Sequence, residues 1–451
     1  MQRISKNPRL NAASSNKRER KCHKPLKTQS GTSKDMIQEI SIKNFFSFKD
    51  KTTFSFEADP STFRADTQVK EVNGVRLLRF AVIYGANASG KSNLMKAFFF
   101  LSHFLFINRD ENGNIDYKTG VVPFMLDDKT QKDNSEFEIS FFVETKKNSF
   151  TRYVYNLIVN PETVVFEELR KGNDDTIVFQ RKLQGKKFNT LYNFDIEDTT
   201  KAVLDLTCRR NMSLFASYIN MEQNLSRNIE DLKNVKEYFQ SFLPPITGKK
   251  DIYKYLQEEL ANDKEGKIKK DILAGFKTSD FNINDISFKW KKDGTVQDDF
   301  YVKGKNQKKY LLPGDLQSEG TKRYMGLRHI LNQLIEKQSF LIADEMETFI
   351  HPDLYEKIVY DFLTAKNNHS QLILTTHYSG LMETVNNLIR VDSIHFVEKH
   401  DDGSSELYRL TDFDDLEKFN DKDLTIYKGY REGRFGAVAN IKYEDSGKAV
   451  K

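Results

Sequence analysis

The stretch Gly85-Ala86-Asn87-Ala88-Ser89-Gly90-Lys91-Ser92 constrains this chain more than any other feature. It matches G-x-x-x-x-G-K-S/T. An apolar run at 76–84 precedes it, and a helix-like stretch at 92–105 follows. Strand, glycine loop and helix form the context in which this pattern binds phosphate. The glycines let backbone N–H groups curl around phosphate oxygens, and the helix N-terminus adds partial positive charge. Lys91 is then expected to reach the β- and γ-phosphates, and the Ser92 hydroxyl to hold Mg²⁺. Gly85, Asn87, Gly90, Lys91, Ser92 and Asn93 make up the candidate ATP-binding set on this side.

Three more segments read as parts of the same site. Ser339-Phe-Leu-Ile-Ala-Asp344-Glu345 is an apolar strand ending in two acids. Asp344 is placed to hold the Mg²⁺ shell and Glu345 to polarise the attacking water; Glu347 is a further acid able to share a role. Gln371-Leu-Ile-Leu-Thr-Thr-His377 is another apolar strand with a polar end, and parallel α/β sheets bind ligands at that edge. His377 is therefore a candidate γ-phosphate contact. Leu316-Gln-Ser318-Glu-Gly320-Thr321 precedes the acids. Alone it is a helix cap at Ser318; in this order it is an anion site at a helix start.

The rest of the chain bounds the class. With 38% hydrophobic and 30% charged residues it has a soluble globular composition. No apolar run approaches the ~18 residues of a membrane span, and residues 1–35 lack the apolar core of a signal peptide. Cys22 and Cys208 cannot form a disulfide framework, so a cytoplasmic setting is expected. The net charge of +5 hints at nucleic acid, but its distribution does not. Residues 1–35 hold ten Lys/Arg against Glu19 and Asp35, a surplus of +8, so the remainder carries −3.

Residues 1–35 read as a disordered basic tail, an upstream start before Met36, or a nucleic-acid arm. Residues 36–190 read as a first lobe with the P-loop and antiparallel strands, the latter from the apolar/polar alternation at 135–170. Residues 191–283 are poor in glycine and proline. Their spacing of Leu225, Ile229, Leu232, Val235, Phe239 and Phe242 predicts a helical insertion. Residues 284–451 read as a second lobe, with strands at 284–312 and then alternating helices and strands. Lys289, Trp290, Lys291 and Lys292, then Tyr301, Lys303, Lys305, Lys308, Lys309 and Tyr310, suit either phosphate contact with stacking or a charged exposed hairpin.

In this order of motifs the chain resembles ABC-type ATPases of the SMC/RecF branch. More closely it is similar to AAA-family ATPases of prokaryotic anti-phage and abortive-infection operons, of AbiL/RloA type; the PARIS and Septu ATPases are similar. The matching pieces are IYGANASGKSNLMKA at 83–97, LQSEGTKR at 316–323, FLIADEMETFIHPDL at 340–354 and LTTHYSGLM at 374–382, with IKNFFSFKD, VPFML and GRFGAVANI around them. The resemblance implies an α/β fold, an ABC/SMC-type P-loop ATPase head with an antiparallel β subdomain and a helical insertion. It implies a homo-oligomer of at least a head-to-tail dimer, in which Ser318 and Gly320 contact the γ-phosphate in trans and hydrolysis releases the pair. It also implies a sensor controlling a separate effector, such as a Toprim-type or other nuclease, with nucleic acid or a phage protein as trigger. One departure stands out: Pro123-Phe124 occupies the region where a Q-loop glutamine is usual.

Three rival readings remain. A RecF/SMC-like DNA-binding repair ATPase predicts DNA-stimulated turnover. A transporter ATPase subunit sits poorly with the missing Q-loop glutamine and the insertion. A self-contained nuclease needs a second active site, for which Asp412-Phe-Asp414 offers only an acidic loop without an upstream strand and Glu.

Overall fold

Residues Phe80–Tyr84 are five consecutive buried positions, a pattern that requires cover on both faces of a strand. In the computed structural model this strand lies at the centre of a five-stranded sheet. The order is Phe340–Asp344, Gln371–Thr375, Phe80–Tyr84, Ile394–Lys399, Ser405–Arg409. The first four strands run parallel and the last is antiparallel to its neighbour. The structure describes residues 34–106, 118–222, 229–247, 252–385, 387–414, 416–419 and 425–438. The basic tail expected at 1–35 therefore lies, but for its last two residues, outside the described residues.

Alternate side chains of the central strands enter two different cores. Ala81 and Ile83 join the first, with Ile342, Ile373 and the P-loop helix Lys91–Phe106. Phe80, Val82 and Tyr84 join the second, with Leu341, Leu374 and the helices Glu319–Lys337 and Pro352–Thr364. The sheet is thus the wall between two hydrophobic bodies, and its period of two assigns each residue to one side. All four parallel strands end at one edge, where the loop, the acids and the histidine emerge.

The strand expected at 76–84 is two strands. Val75–Leu78 pairs with Val69–Val72, and only Phe80–Tyr84 enters the central sheet. Arg79 is the break. Its buried guanidinium donates to the carbonyls of Thr67 and Ala365, and burial lowers its pKa to about 10. A charge that must be solvated by backbone carbonyls pulls the chain from one sheet into the other.

The antiparallel part is a seven-stranded sheet in the order Lys187–Tyr192, Thr176–Gln184, Thr163–Lys171, Ser149–Asn160, Ser135–Lys146, Met36–Lys43, Thr52–Ser55. Its meander runs on past residue 170 to Tyr192. The helices that follow divide between the two cores. Leu214–Met221 and Glu230–Ser241 pack on the antiparallel sheet, with Phe215 against Tyr155 and Tyr238 stacked on Phe141 at 4.7 Å. Ile252–Ala261 and Lys267–Lys277 instead grip the helix Glu319–Lys337. Ile252 fills the space a Cβ on Gly326 would need, and Arg328 donates to Asp271 O at 3.0 Å. Between the two groups, residues 243–246 run alongside Phe340–Asp344. Leu243 N–H donates to Phe340 O, Ile246 N–H to Ile342 O, and Asp344 N–H to Ile246 O at 2.8 Å. They extend the sheet past what was its edge.

The basic and aromatic residues at 289–310 do not form one patch. Ile283–Trp290, Val296–Lys303 and Lys309–Pro313 make a three-stranded meander. Lys289 to Lys292 cap one end of it and Lys303 to Lys309 the other. An eight-residue strand separates them by roughly 25 Å at ~3.3 Å per residue. Trp290 is also engaged, donating from its indole to Asn262 Oδ1 at 3.2 Å.

Candidate functional site

The loop at 85–90 is shaped by what its glycines leave out. A Cβ on Gly85 would strike the carbonyl of Val397, and one on Gly90 would strike Ser405 and Ser47. Gly90 also has φ +117°, a conformation that side chains rarely adopt. Two serines that the sequence does not advertise brace the loop. Ser405 Oγ donates to Ser89 O, Ser405 N–H donates to Ser47 O at 2.7 Å, and Asn93 donates to Ser47 Oγ at 2.8 Å. Ser47 lies in the turn after the first strand and Ser405 opens the last strand. Neither position carries a local motif. Asn87 is exposed at the loop tip.

Lys91 is buried, and its Nζ donates to the carbonyls of Gly85 at 2.9 Å and Ala86 at 3.0 Å. Burial holds its pKa below the ordinary lysine value, with Asp344, Glu345 and Glu347 pulling the other way. A buried ammonium resting on loop carbonyls lacks a full counter-charge, which an anion in the cradle would supply.

Ser92 Oγ donates to Asp344 Oδ2 at 3.0 Å, and Thr375 Oγ1 donates to Asp344 Oδ1. One carboxylate is thus held between the P-loop helix and the strand that leads to the histidine. A hydroxyl facing a carboxylate at a phosphate cradle is the oxygen set that Mg²⁺ takes. The residues present therefore fit both a nucleotide triphosphate and its divalent ion.

Glu345 follows Asp344 with φ +50°, uncommon for a residue with a side chain and typical of functional positions. Its N–H donates to Thr375 O at 3.1 Å. Its Oε1 stands 3.5 Å from His377 Nε2, and both side chains are partly open to solvent. The loop, the two acids and the histidine therefore converge at one sheet edge.

Ser318 and Gly320 stand apart. Ser318 is the N-cap of Glu319–Lys337, and its Oγ accepts from Thr321 N–H at 3.1 Å. Gly320 lies against the carbonyl of Phe349, where a Cβ would come within 3.0 Å. Among the described residues no hydrogen bond or ion pair joins either to the P-loop, the acids or His377. Two apolar side chains near them are open to solvent among charged neighbours such as Asp315 and Glu319: Leu316 is 70% exposed and Phe349, with φ +65°, is 73% exposed.

Among solved structures the chain is similar to SMC heads, at low identity and low TM-score. The SMC head domain from Thermotoga maritima is 13% identical over 83% of this chain and 98% of that one, with a TM-score of 0.39. An SMC head bound to the C-winged helix domain of ScpA is 14% identical over 82% and 96%, with a TM-score of 0.44. An SMC head with an extended coiled coil, bound to the C-terminal domain of ScpA and derived from Pyrococcus furiosus, is 15% identical over 84% and 97%, at 0.40. No curated protein matches the chain. The fold is α/β: a mostly parallel five-stranded sheet that carries the glycine loop, a seven-stranded antiparallel sheet, and helices packed on both. Residues 80–383, from the strand that feeds the P-loop to just past the histidine, match a single family model. That span is well over half of the chain, which therefore belongs to the family described as "AAA domain, putative AbiEii toxin, Type IV TA system".

Proposed function

We propose that this chain is an ATP-hydrolysing conformational switch. The observation that carries the reading is the carboxylate of Asp344, held at 3.0 Å by Ser92 Oγ, one residue before a Glu345 that stands 3.5 Å from His377. In this reading Lys91 and the loop N–H groups hold the β- and γ-phosphates, Gly85 and Gly90 keep the cradle open, and Asn87 and Asn93 border it. Ser92 and Asp344 hold Mg²⁺, which when bound polarises the phosphate oxygens. Glu345 accepts a proton from water as its oxygen attacks the γ-phosphorus. The bond to the β–γ bridging oxygen breaks, leaving ADP and phosphate. His377 donates to the γ-phosphate oxygens and orients Glu345.

The exposed, self-satisfied Ser318 supports a site completed by a second copy. A head-to-tail dimer would bring Ser318 and Gly320 to the γ-phosphate of its partner and bury Leu316 and Phe349. ATP then closes the pair and hydrolysis opens it. The family description, with its putative toxin and toxin–antitoxin system, supports a place in prokaryotic anti-phage defence through abortive infection. There the switch would answer a phage protein or nucleic acid and control a separate effector, a Toprim-type or other nuclease. A cytoplasmic setting accords with the described helices, none of which is long and apolar enough to cross a membrane.

The test is ATP turnover and sedimentation of the purified chain, with Lys91→Ala and Glu345→Gln beside it. Turnover lost in both, with an ATP-dependent dimer trapped only in Glu345→Gln, is the expected result. Normal turnover in Glu345→Gln would sink the assignment. Turnover stimulated by DNA and not by phage proteins would favour the RecF-like repair reading.

A further inference from the structure

Glu347 lies two residues beyond Glu345, and one of its carboxylate oxygens binds the histidine segment from below. Oε1 accepts from Thr376 Oγ1 and from His377 N–H, both at 2.8 Å. Oε2 is sealed from solvent and has no hydrogen-bond partner among the described residues. The hydroxyls of Tyr84 and Tyr355 are buried nearby, also without a hydrogen bond of good geometry, and both tyrosines feel the Glu347 charge. Tyr84 is the last residue of the strand entering the P-loop. The carboxylate therefore sits between the P-loop strand and the end of the histidine strand.

A buried carboxylate oxygen without a donor is costly and rare. Here the other oxygen does something the strand ladder cannot. Regular pairing of Gln371–Thr375 stops at Thr375, where Asp344 takes the hydroxyl. Thr376 N–H still reaches Ile83 O at 3.1 Å, but His377 N–H has left the sheet and finds Glu347 instead. The backbone of His377, and through it the ring at 3.5 Å from Glu345, is thus set by this acid.

We infer that Glu347 is a positioning residue that fixes the Thr376–His377 turn so that His377 faces Glu345 and the γ-phosphate. The inference rests on the ATPase reading of the site. Glu347 itself does not touch the reacting atoms; it orients the group that does, as outer-shell partners of other sites do.

Two variants and two readouts test this. Glu347→Ala removes both bonds. Glu347→Gln keeps the accepting oxygen and turns the unpartnered one into a donor for the tyrosine hydroxyls. In Glu347→Ala, kcat should fall about 10- to 100-fold with KM for ATP within about threefold, the scale of losing an orienting partner. Amide hydrogen exchange at His377 should speed up in the same variant, with or without nucleotide. Glu347→Gln should restore slow exchange and most of the turnover. If Glu347→Ala leaves exchange at His377 unchanged, the inference is wrong. It is equally wrong if Glu347→Gln is as inactive as alanine while exchange stays slow, because Glu347 would then be a proton acceptor. Should the alanine variant not fold, Thr376→Val removes the bond to Glu347 together with the one its hydroxyl accepts from Tyr378 N–H, while Thr376→Ser keeps both; turnover should slow in valine and recover in serine, and unchanged turnover in valine counts against the inference. A wild-type chain without ATP turnover would overturn the ATPase reading, while the exchange measurement still decides the role of Glu347.

Discussion

The two sides of the proposed site differ in how they are held. On the P-loop side several groups are already engaged: Lys91 with Gly85 and Ala86 within the loop, and Ser92 and Thr375 with Asp344, and Glu347 with His377, across the fold. On the signature side Ser318 is satisfied within its own first helical turn, and exposed Leu316 and Phe349 rim it. A prearranged half can bind by itself, since little ordering remains to be done on binding. A helix start whose capping serine contacts no group of the site within its own chain needs another body to be of use.

The comparison can be broken from the P-loop side first. Glu345→Gln should lower kcat by about 10²- to 10⁴-fold, the scale of general-base loss, with ATP affinity unchanged in an equilibrium binding assay. Lys91→Ala should weaken ATP binding by roughly 10- to 100-fold, the value of a hydrogen bond to a charged group. Breaking it from the other side calls for a change that leaves the P-loop alone. Phe349→Asp should keep ATP binding by one copy within about twofold, because no P-loop contact is lost. Placed on Glu345→Gln it should abolish the trapped ATP-dependent dimer in sedimentation velocity, and placed on the otherwise unaltered chain it should abolish turnover. ATP binding lost in Phe349→Asp would mean the two sides are not separate.

The smallest effect sharpens the comparison through pH. Burial lowers the Lys91 pKa, so the unfolded chain binds this proton more tightly than the folded one. Stability of the nucleotide-free protein should rise with pH between the lowered value and the ordinary 10.5. Lys91→Met should flatten that rise and raise the melting temperature at neutral pH, even as it weakens nucleotide binding. A lower melting temperature in Lys91→Met would show that the lysine stabilises the empty fold.

Much of this was legible in order along the chain, for a local reason. A glycine loop between strand and helix, two acids after an apolar strand and a histidine after another are patterns a few residues long. A parallel sheet carries each to the same edge whatever lies between. The seven-stranded sheet was visible to residue 170 because its strands alternate apolar and polar. Arg79 shows where such reading stops. The run 76–84 looks continuous, but a buried guanidinium bound to Thr67 and Ala365 carbonyls divides it, and those partners are near only in the fold. The basic residues at 289–310 show the same limit. Neighbours in sequence, they sit at opposite ends of a meander.

The sequence by itself determined the glycine loop between a strand and a helix, the acids and the histidine that end two apolar strands, and the alternation that builds the central sheet. Each depends on residue type and spacing within one element. Only the tertiary structure decided that Ser47 and Ser405 brace the loop, that residues 243–246 hold the amide of Asp344, and that Glu347 reaches forward to His377. These are hydrogen bonds between groups distant in the chain. Their partners are chosen by which backbone and side-chain groups the packed core leaves unsatisfied, and no local pattern records that choice.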